Sequence, residues 1–125
     1  MAESSDSFHE PVELLSAQTL EAHRGIVSLM EELEAVNWYS QRIDAAEDAE
    51  LKALLSHNRD EEKEHAMMTL EWLRRRDPAL DAQMRTYLFT QGDILAAEED
   101  AVDETAAEDT AAADGSLGVG SLRED

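Results

Sequence analysis

The chain has 125 residues, a formal net charge of −20 at pH 7 and no cysteine. This acidity argues against nucleic-acid binding, which needs a basic surface, and against binding to anionic membranes. It is compatible with the attraction of cations. Disulfides, thiolate metal sites and cysteine nucleophiles are excluded as well, and no apolar run is long enough to cross a bilayer. Alanine, glutamate and leucine are abundant whereas glycine and proline are scarce, which predicts one all-helical domain.

A disordered lead and a long helix are predicted first. Residues 1–9 form the lead, and its opening seven residues have neither the basic start nor the apolar core of a signal peptide, so we expect a cytoplasmic protein. Pro11 suits the first turn of a helix, which we expect to run to about Asp44. Gly25 lies in its middle and predicts the close approach of a neighbouring helix. The apolar residues that recur at helical spacing are Val12, Leu15, Ala22, Ile26, Leu29, Leu33 and Val36.

A second helix is predicted from about Asp48 to Arg76, and residues 44–49 form the connection to it. The pair Asp77-Pro78 stops it, because the residue before a proline avoids helical geometry. Burying a carboxylate and an imidazole on a packing face is costly unless something pairs with them, and a bound cation would do so. The predicted inward face is apolar at both ends and polar in the middle, with Leu51, Leu55, Asn58, Glu62, His65, Thr69 and Trp72 at heptad spacing.

A third helix and an acidic linker are predicted next. The helix runs from Pro78 to about Phe89 and breaks at Gly92, after which apolar residues extend it to Ala97. Residues 98–114 contain only alanine, threonine, aspartate, glutamate and one valine. Such a segment cannot bury enough apolar surface to order itself, so we expect a disordered linker.

The C-terminal residues 115–125 differ in composition again. Glycine and serine separate three apolar side chains, and a short apolar motif at the end of a long tether is typical of a docking peptide. A chain end without a role is the alternative, because termini are often disordered. The three apolar side chains are those of Leu117, Val119 and Leu122.

Glu62 and His65 are the first candidates for a metal site. Positions three apart share one helix face, and a carboxylate oxygen with an imidazole nitrogen suits a first-row transition metal, iron included. The same Glu-x-x-His spacing supplies ligands in carboxylate-bridged di-iron four-helix bundles. On its own the motif is also ordinary helix surface, so further ligands decide between the two interpretations.

The first helix offers a third ligand, Glu32. It is three, four and seven residues from Leu29, Val36 and Tyr39, so it shares their apolar face. Together with Glu62 and His65 it makes three ligands, which is half of a di-iron site. The Tyr39 hydroxyl either bonds a ligand or finds another partner in the core.

A two-helix hairpin of this length exposes a long apolar face and should not be stable alone. Pairing two hairpins about a two-fold axis closes the core and brings two sets of Glu32, Glu62 and His65 together. We therefore expect residues 10–97 to form an antiparallel two-helix hairpin with a short C-terminal helix. Two such chains would dimerise into a four-helix bundle.

These motifs resemble those of the encapsulated ferritins, the two-helix members of the ferritin-like superfamily. The resemblance implies that the dimer is a ferritin-like four-helix bundle. Residues 30–39, MEELEAVNWY, resemble the first-helix signature of that family, and residues 57–66, HNRDEEKEHA, resemble the second. Residues 114–122, DGSLGVGSL, look like the peptide that directs cargo into encapsulin shells. The similarity covers about residues 8–97 and then this tail, in which Val119 and Arg123 stand where isoleucine and lysine are frequent.

The resemblance implies a ferroxidase that oxidises Fe(II) to Fe(III) with O₂ at a di-iron site across the dimer interface. Glu32, Glu62 and His65 would be the iron ligands, with Glu62 as the bridging carboxylate and Tyr39 beside them. A second cation site, which calcium could occupy, is implied on another face of the first helix. It consists of Glu31, Glu34 and Trp38, although spacing alone favours a solvated surface for the two glutamates.

The resemblance also implies how the protein assembles and where it acts. The homodimers would form a ring-shaped decamer in the cytoplasm, held inside an encapsulin nanocompartment by the C-terminal peptide. Iron would be stored there as mineral. Two alternatives remain open: a non-catalytic, metal-dependent assembly module that uses calcium or zinc and is targeted to the shell, and a helical interaction protein whose polar face specifies pairing.

Overall fold

The computed structural model describes residues 7–102, and within that range the secondary structure is helical with no strand. A 3₁₀ turn at Val12–Leu14 precedes the helices α1 (Ala17–Ala45), α2 (Ala49–Arg76) and α3 (Pro78–Tyr87). Residues 94–102 are helical as well. The chain divides after Pro78 into a hairpin unit and a second unit that begins at Ala79. The predicted all-helical fold is confirmed.

The first helix begins later than predicted. Ser16 has an extended backbone and caps α1, with its Oγ accepting a hydrogen bond of 3.0 Å from the amide of Thr19. Pro11 instead precedes the short 3₁₀ turn, and Leu15 is extended. The prediction of a continuous helix from Pro11 was wrong. The serine side chain pairs with a backbone N–H group that has no partner within the first turn, and so stabilises a helix start at Ser16. Proline is compatible with a first turn but supplies no such hydrogen bond.

The second helix has the predicted bounds. Asp48 caps it, since its side chain accepts a hydrogen bond of 2.9 Å from the amide of Leu51. Only the three residues 46–48 join α1 to α2, and so short a connection makes an antiparallel helical hairpin. At the other end Asp77 is extended and Pro78 follows, in keeping with the restriction on residues before proline.

Gly25 marks a close approach of α1 to α2, as its mid-helix position predicts. A Cβ atom at this position would lie 2.8 Å from Cζ3 of Trp72 and 3.2 Å from Cδ2 of Leu73. No side chain fits there without a shift, so glycine lets the backbone of α1 rest against the indole. This contact fixes how the two helices meet along the face that we call the α1–α2 seam.

The hairpin buries little of its own apolar surface. Among residues 7–102 the buried hydrophobic side chains are those of Ala66 and Leu73. Large apolar side chains on both helices remain more than a third exposed. We call six of them the exposed apolar stripe: Ile26, Met30 and Leu33 on α1, and Leu51, Leu54 and Met68 on α2.

The structure differs from the sequence-based expectations at both ends of the described chain. Within the predicted lead of residues 1–9, Phe8 packs its ring 4.6 Å, centroid to centroid, from that of His23. α3 ends at Tyr87, two residues early, and Phe89 has a left-handed φ of 60°. Residues 98–102 are helical, because a segment this rich in alanine and glutamate favours a helix once one has begun. The rest of the predicted linker, the C-terminal peptide and residues 1–6 lie outside the described residues.

Candidate metal centre

Glu32 lies on the α1–α2 seam, where it is half-buried. Its Oε1 accepts a hydrogen bond of 3.3 Å from the Thr69 hydroxyl on α2. Its Oε2 is buried and has no hydrogen-bond partner in the described part of the chain. A buried polar atom left unpaired costs about 1–3 kcal/mol, and more when it carries charge. This oxygen therefore needs a partner that residues 7–102 do not supply, and a cation fits that need.

Glu62 and His65 come together on α2 as their spacing predicts. Nδ1 of His65 lies 3.6 Å from Oε1 of Glu62, which is too far for a hydrogen bond, so the two side chains are neighbours rather than a bonded pair. The side chain of His65 is 42% exposed and that of Glu62 is 27% exposed. Both retain lone pairs that a metal ion approaching this face can reach.

His65 also shares a face with the α2 part of the exposed apolar stripe. Leu54 is eleven residues before it, which is three helical turns, and Met68 is three residues after it. The imidazole therefore lies on a surface that is apolar and uncovered in a single chain. A second molecule that covers the stripe would approach the candidate ligands directly.

The described residues of one chain do not assemble a complete metal site. Within residues 7–102 no three histidine or acidic side chains form a group that could hold a metal ion. Glu62 and His65 are adjacent, and Glu32 lies on the other helix with its own buried, unpaired oxygen. The donor types suit iron, and the assignment of the three residues as ligands stays a prediction.

Thr69 is the residue whose role sequence reasoning missed. Its place on the inward face of α2 could be predicted, but its bond to Glu32 crosses between helices and depends on their register. Tyr39, which was expected beside the ligands, is half-buried, and the Arg42 guanidinium lies 5.4 Å from its ring centroid. The hydrogen bond that reaches Glu32 comes from Thr69, and the role of Tyr39 stays a prediction.

The second predicted cation site lies on the surface of α1. Glu31 and Glu34 are exposed, and Trp38 on the same face is 49% exposed. This arrangement agrees with the solvated face that spacing favours, and nothing in it tests cation binding.

The other histidines have different surroundings. Nε2 of the exposed His57 lies 2.8 Å from Oε1 of Glu61 one turn along α2. The ring of His23 packs against Phe8.

Comparison with known proteins places the chain in a family. Residues 7–91 match the EncFtn-like family. The chain is 64% identical over 98 residues to the encapsulated ferritin-like protein of Rhodospirillum rubrum, an alignment that covers 78% of this chain and 70% of that protein. It is 49% identical over 96 residues to the ferritin-like protein of Thermotoga maritima, covering 77% of this chain and 84% of that one.

A third relative and a solved structure agree with this placement. The encapsulin nanocompartment cargo protein EncC of Myxococcus xanthus is 35% identical over 104 residues, covering 79% of this chain and 77% of that protein. The crystal structure of protein NE0167 from Nitrosomonas europaea superposes with a TM-score of 0.68 at 59% identity, covering 70% of this chain and 96% of that one. The chain therefore belongs to the EncFtn-like family of encapsulated ferritin-like proteins.

Proposed function

We propose that this protein is a ferroxidase, which oxidises its substrate Fe(II) to Fe(III) with O₂ at a site completed by two paired hairpins. The observation that carries the proposal is the buried Oε2 of Glu32, which has no partner in the described chain. A cation bound there would offset the cost of burying the carboxylate. Glu62 and His65, which are adjacent to each other on α2, would supply the further donors that iron prefers.

The ligand types suit oxidation as well as binding. Coulomb attraction grows with charge, so the anionic oxygens of Glu32 and Glu62 stabilise Fe(III) more than Fe(II). This difference favours loss of an electron from the bound ion to oxygen. The imidazole of His65 would supply a nitrogen ligand for Fe(II). Glu62, which lies beside it on α2, would hold the iron together with His65.

Pairing of two chains accounts for the exposed apolar stripe as well as for the incomplete site. Each large apolar side chain that becomes fully buried contributes roughly 1.5–3 kcal/mol. A two-fold axis through the stripe would bring a second Glu32, Glu62 and His65 opposite the first set.

The dimer, and a ring-shaped decamer built from it, are part of the proposal. So is a secondary cation site, for calcium among others, at Glu31, Glu34 and Trp38.

The iron chemistry is tested by adding Fe(II) aerobically to the full chain and following the Fe(III) absorbance and O₂ consumption together. We expect Glu62→Ala and His65→Ala to slow both signals by at least about 10-fold, because each removes a ligand. Glu47→Ala, which removes an exposed carboxylate from the connection between α1 and α2, is the matched control. If either ligand variant oxidises iron as fast as the parent, the site is misassigned.

A non-catalytic assembly module is the second candidate, and the exposed apolar stripe is what favours it. In that case the same residues would bind Fe(II), Ca²⁺ or Zn²⁺ only to hold chains together. Light-scattering mass with and without each ion, measured beside O₂ consumption, separates the two functions. Metal-dependent assembly without O₂ consumption would leave the assembly module as the function.

We further propose that the protein acts as cargo of an encapsulin nanocompartment in the cytoplasm, where the Fe(III) is stored as mineral. The support comes from relatives that are named an encapsulated protein and a nanocompartment cargo protein. It comes also from the apolar tail motif with Leu117, Val119 and Leu122, whose side chains would fill pockets on the shell protein.

Deleting residues 115–125 tests the tail. Shell protein is produced together with the full chain or the truncated chain, and the shells are purified and analysed for cargo. We expect the truncated chain to be missing from the shells while its rate of iron oxidation stays at the parent level, because the candidate ligands lie far from the tail in sequence. Undiminished loading would contradict the docking role.

A further inference from the structure

Thr69 makes the side-chain hydrogen bond that joins the α1 candidate ligand to α2. Its Oγ1 donates to Oε1 of Glu32 over 3.3 Å, between residues 37 positions apart. We infer that Thr69 is a positioning residue, which holds the Glu32 carboxylate so that Oε2 is available to the metal. This inference rests on the proposed function.

The place of Thr69 on α2 fits this role. Glu62, His65 and Thr69 are spaced by three and four residues, so they share one helix face. The hydroxyl therefore ties Glu32 to the same face that carries the other two ligands. The packing of Gly25 against Trp72, one turn further along α2, brings the helices close enough for this short side chain to reach across.

The direction in which Thr69 donates is not the default for a helical threonine. Such a hydroxyl commonly donates to the backbone carbonyl four residues earlier. Thr86 in α3 does so, with its Oγ1 3.1 Å from the carbonyl of Ala82. Thr69 instead donates to a carboxylate on the other helix, over 3.3 Å.

The consequence for metal binding follows from how a carboxylate rotates. The terminal torsion of glutamate is broad and two-fold, so an unrestrained Glu32 would offer either oxygen in many orientations. A hydrogen bond to Oε1 limits this freedom and leaves Oε2, which is the buried oxygen without a partner in the described chain. Hydrogen bonds to ligating carboxylates orient them, and their loss typically weakens metal binding about 10–100-fold.

Co(II) binding tests the inference without depending on iron oxidation. The full chain is titrated with Co(II) by calorimetry, and the visible absorption of the bound ion reports its ligand geometry. We expect Thr69→Val, which keeps the shape and loses the hydroxyl, to bind Co(II) about 10-fold more weakly with a changed spectrum. Thr69→Ala should behave likewise, and it keeps the test valid if the valine variant folds poorly.

Two further variants separate positioning from mere packing. Thr69→Ser keeps the hydroxyl, so we expect it to restore the affinity and the spectrum to near the parent values. Thr86→Val loses a helical hydroxyl of the default kind and should change neither. Circular dichroism and solution mass of every variant, measured at the titration concentration, show whether fold and assembly are preserved.

The outcomes distinguish this inference from the proposed function. If Glu62→Ala abolishes Co(II) binding while Thr69→Val and Thr69→Ala bind as the parent does, the positioning role is wrong and the site stands. If the parent chain binds no Co(II) and oxidises no Fe(II), the proposed function fails and the role of Thr69 fails with it.

Discussion

Gly25 and Trp72 set the distance between the two long helices, and the contact is tighter than a Cβ atom allows. The Arg76 guanidinium stacks 4.0 Å from the centroid of the indole ring. Glycine costs about 1 kcal/mol relative to alanine in a helix, but at this position it allows the two helices to pack closely.

We therefore predict that Gly25→Ala destabilises the hairpin although alanine is the better helix former. Overpacking typically costs about 1–3 kcal/mol, which exceeds the gain of about 1 kcal/mol in helix propensity. The measurement is the free energy of unfolding in urea. In a Trp72→Phe background, where the smaller ring leaves room for the methyl group, we expect the same substitution to be neutral or stabilising. Destabilisation of equal size in both backgrounds would contradict the steric explanation.

Residue positions within one helix could be predicted from the sequence, whereas contacts between helices could not. Glu62 and His65 are neighbours because helical geometry alone places positions three apart on one face. The bond from Thr69 to Glu32 needs the register of α1 against α2, which periodicity leaves undetermined. Gly25 is an intermediate case, because a glycine in mid-helix signals close approach without naming the partner.

The helix ends show which local signals determine an element. α2 starts at an aspartate cap and ends before Asp77-Pro78, and both signals are strong and local, so its bounds could be predicted. α1 was predicted to start at Pro11, but the serine cap at Ser16 marks its true start. The composition of residues 98–114 predicts disorder, yet residues 98–102 continue the helix that begins at residue 94, because alanine and glutamate favour a helix.

Charge at the C-terminal end of α2 is arranged to stabilise that end. Arg74, Arg75 and Arg76 fill the last turn, where cations interact favourably with the helix dipole. Hydrogen bonds from Arg74 and then Arg75 lower the pKa of Glu71 to about 2. Because the folded pKa lies below the ordinary value of 4.5, this interaction stabilises the helix above about pH 4.5 and is lost as the pH falls through 2.

At the scale of the whole molecule, the hairpin combines two features that are unfavourable in isolation. It leaves an apolar stripe in water, and it buries a carboxylate oxygen without a partner in the described chain. A hydrophobic partner surface would cover the apolar stripe, and a cation would pair with the carboxylate oxygen. The proposed two-fold pairing would provide both, so metal affinity and assembly should depend on each other.

This coupling yields the last prediction, for Leu33→Asp in the exposed apolar stripe. Leu33 is 51% exposed in the single chain, so a charge there should leave the fold of the hairpin intact while opposing burial against a partner. We expect the variant to sediment as a monomer and to lose most of its Fe(II) oxidation, although Glu32, Glu62 and His65 are unchanged. Leu14→Asp is the control, because Leu14 is 74% exposed and lies before α1, and it should preserve both mass and activity. A monomeric Leu33→Asp variant that oxidises iron at the parent rate would mean that one chain holds a complete site, and the shared centre would have to be abandoned.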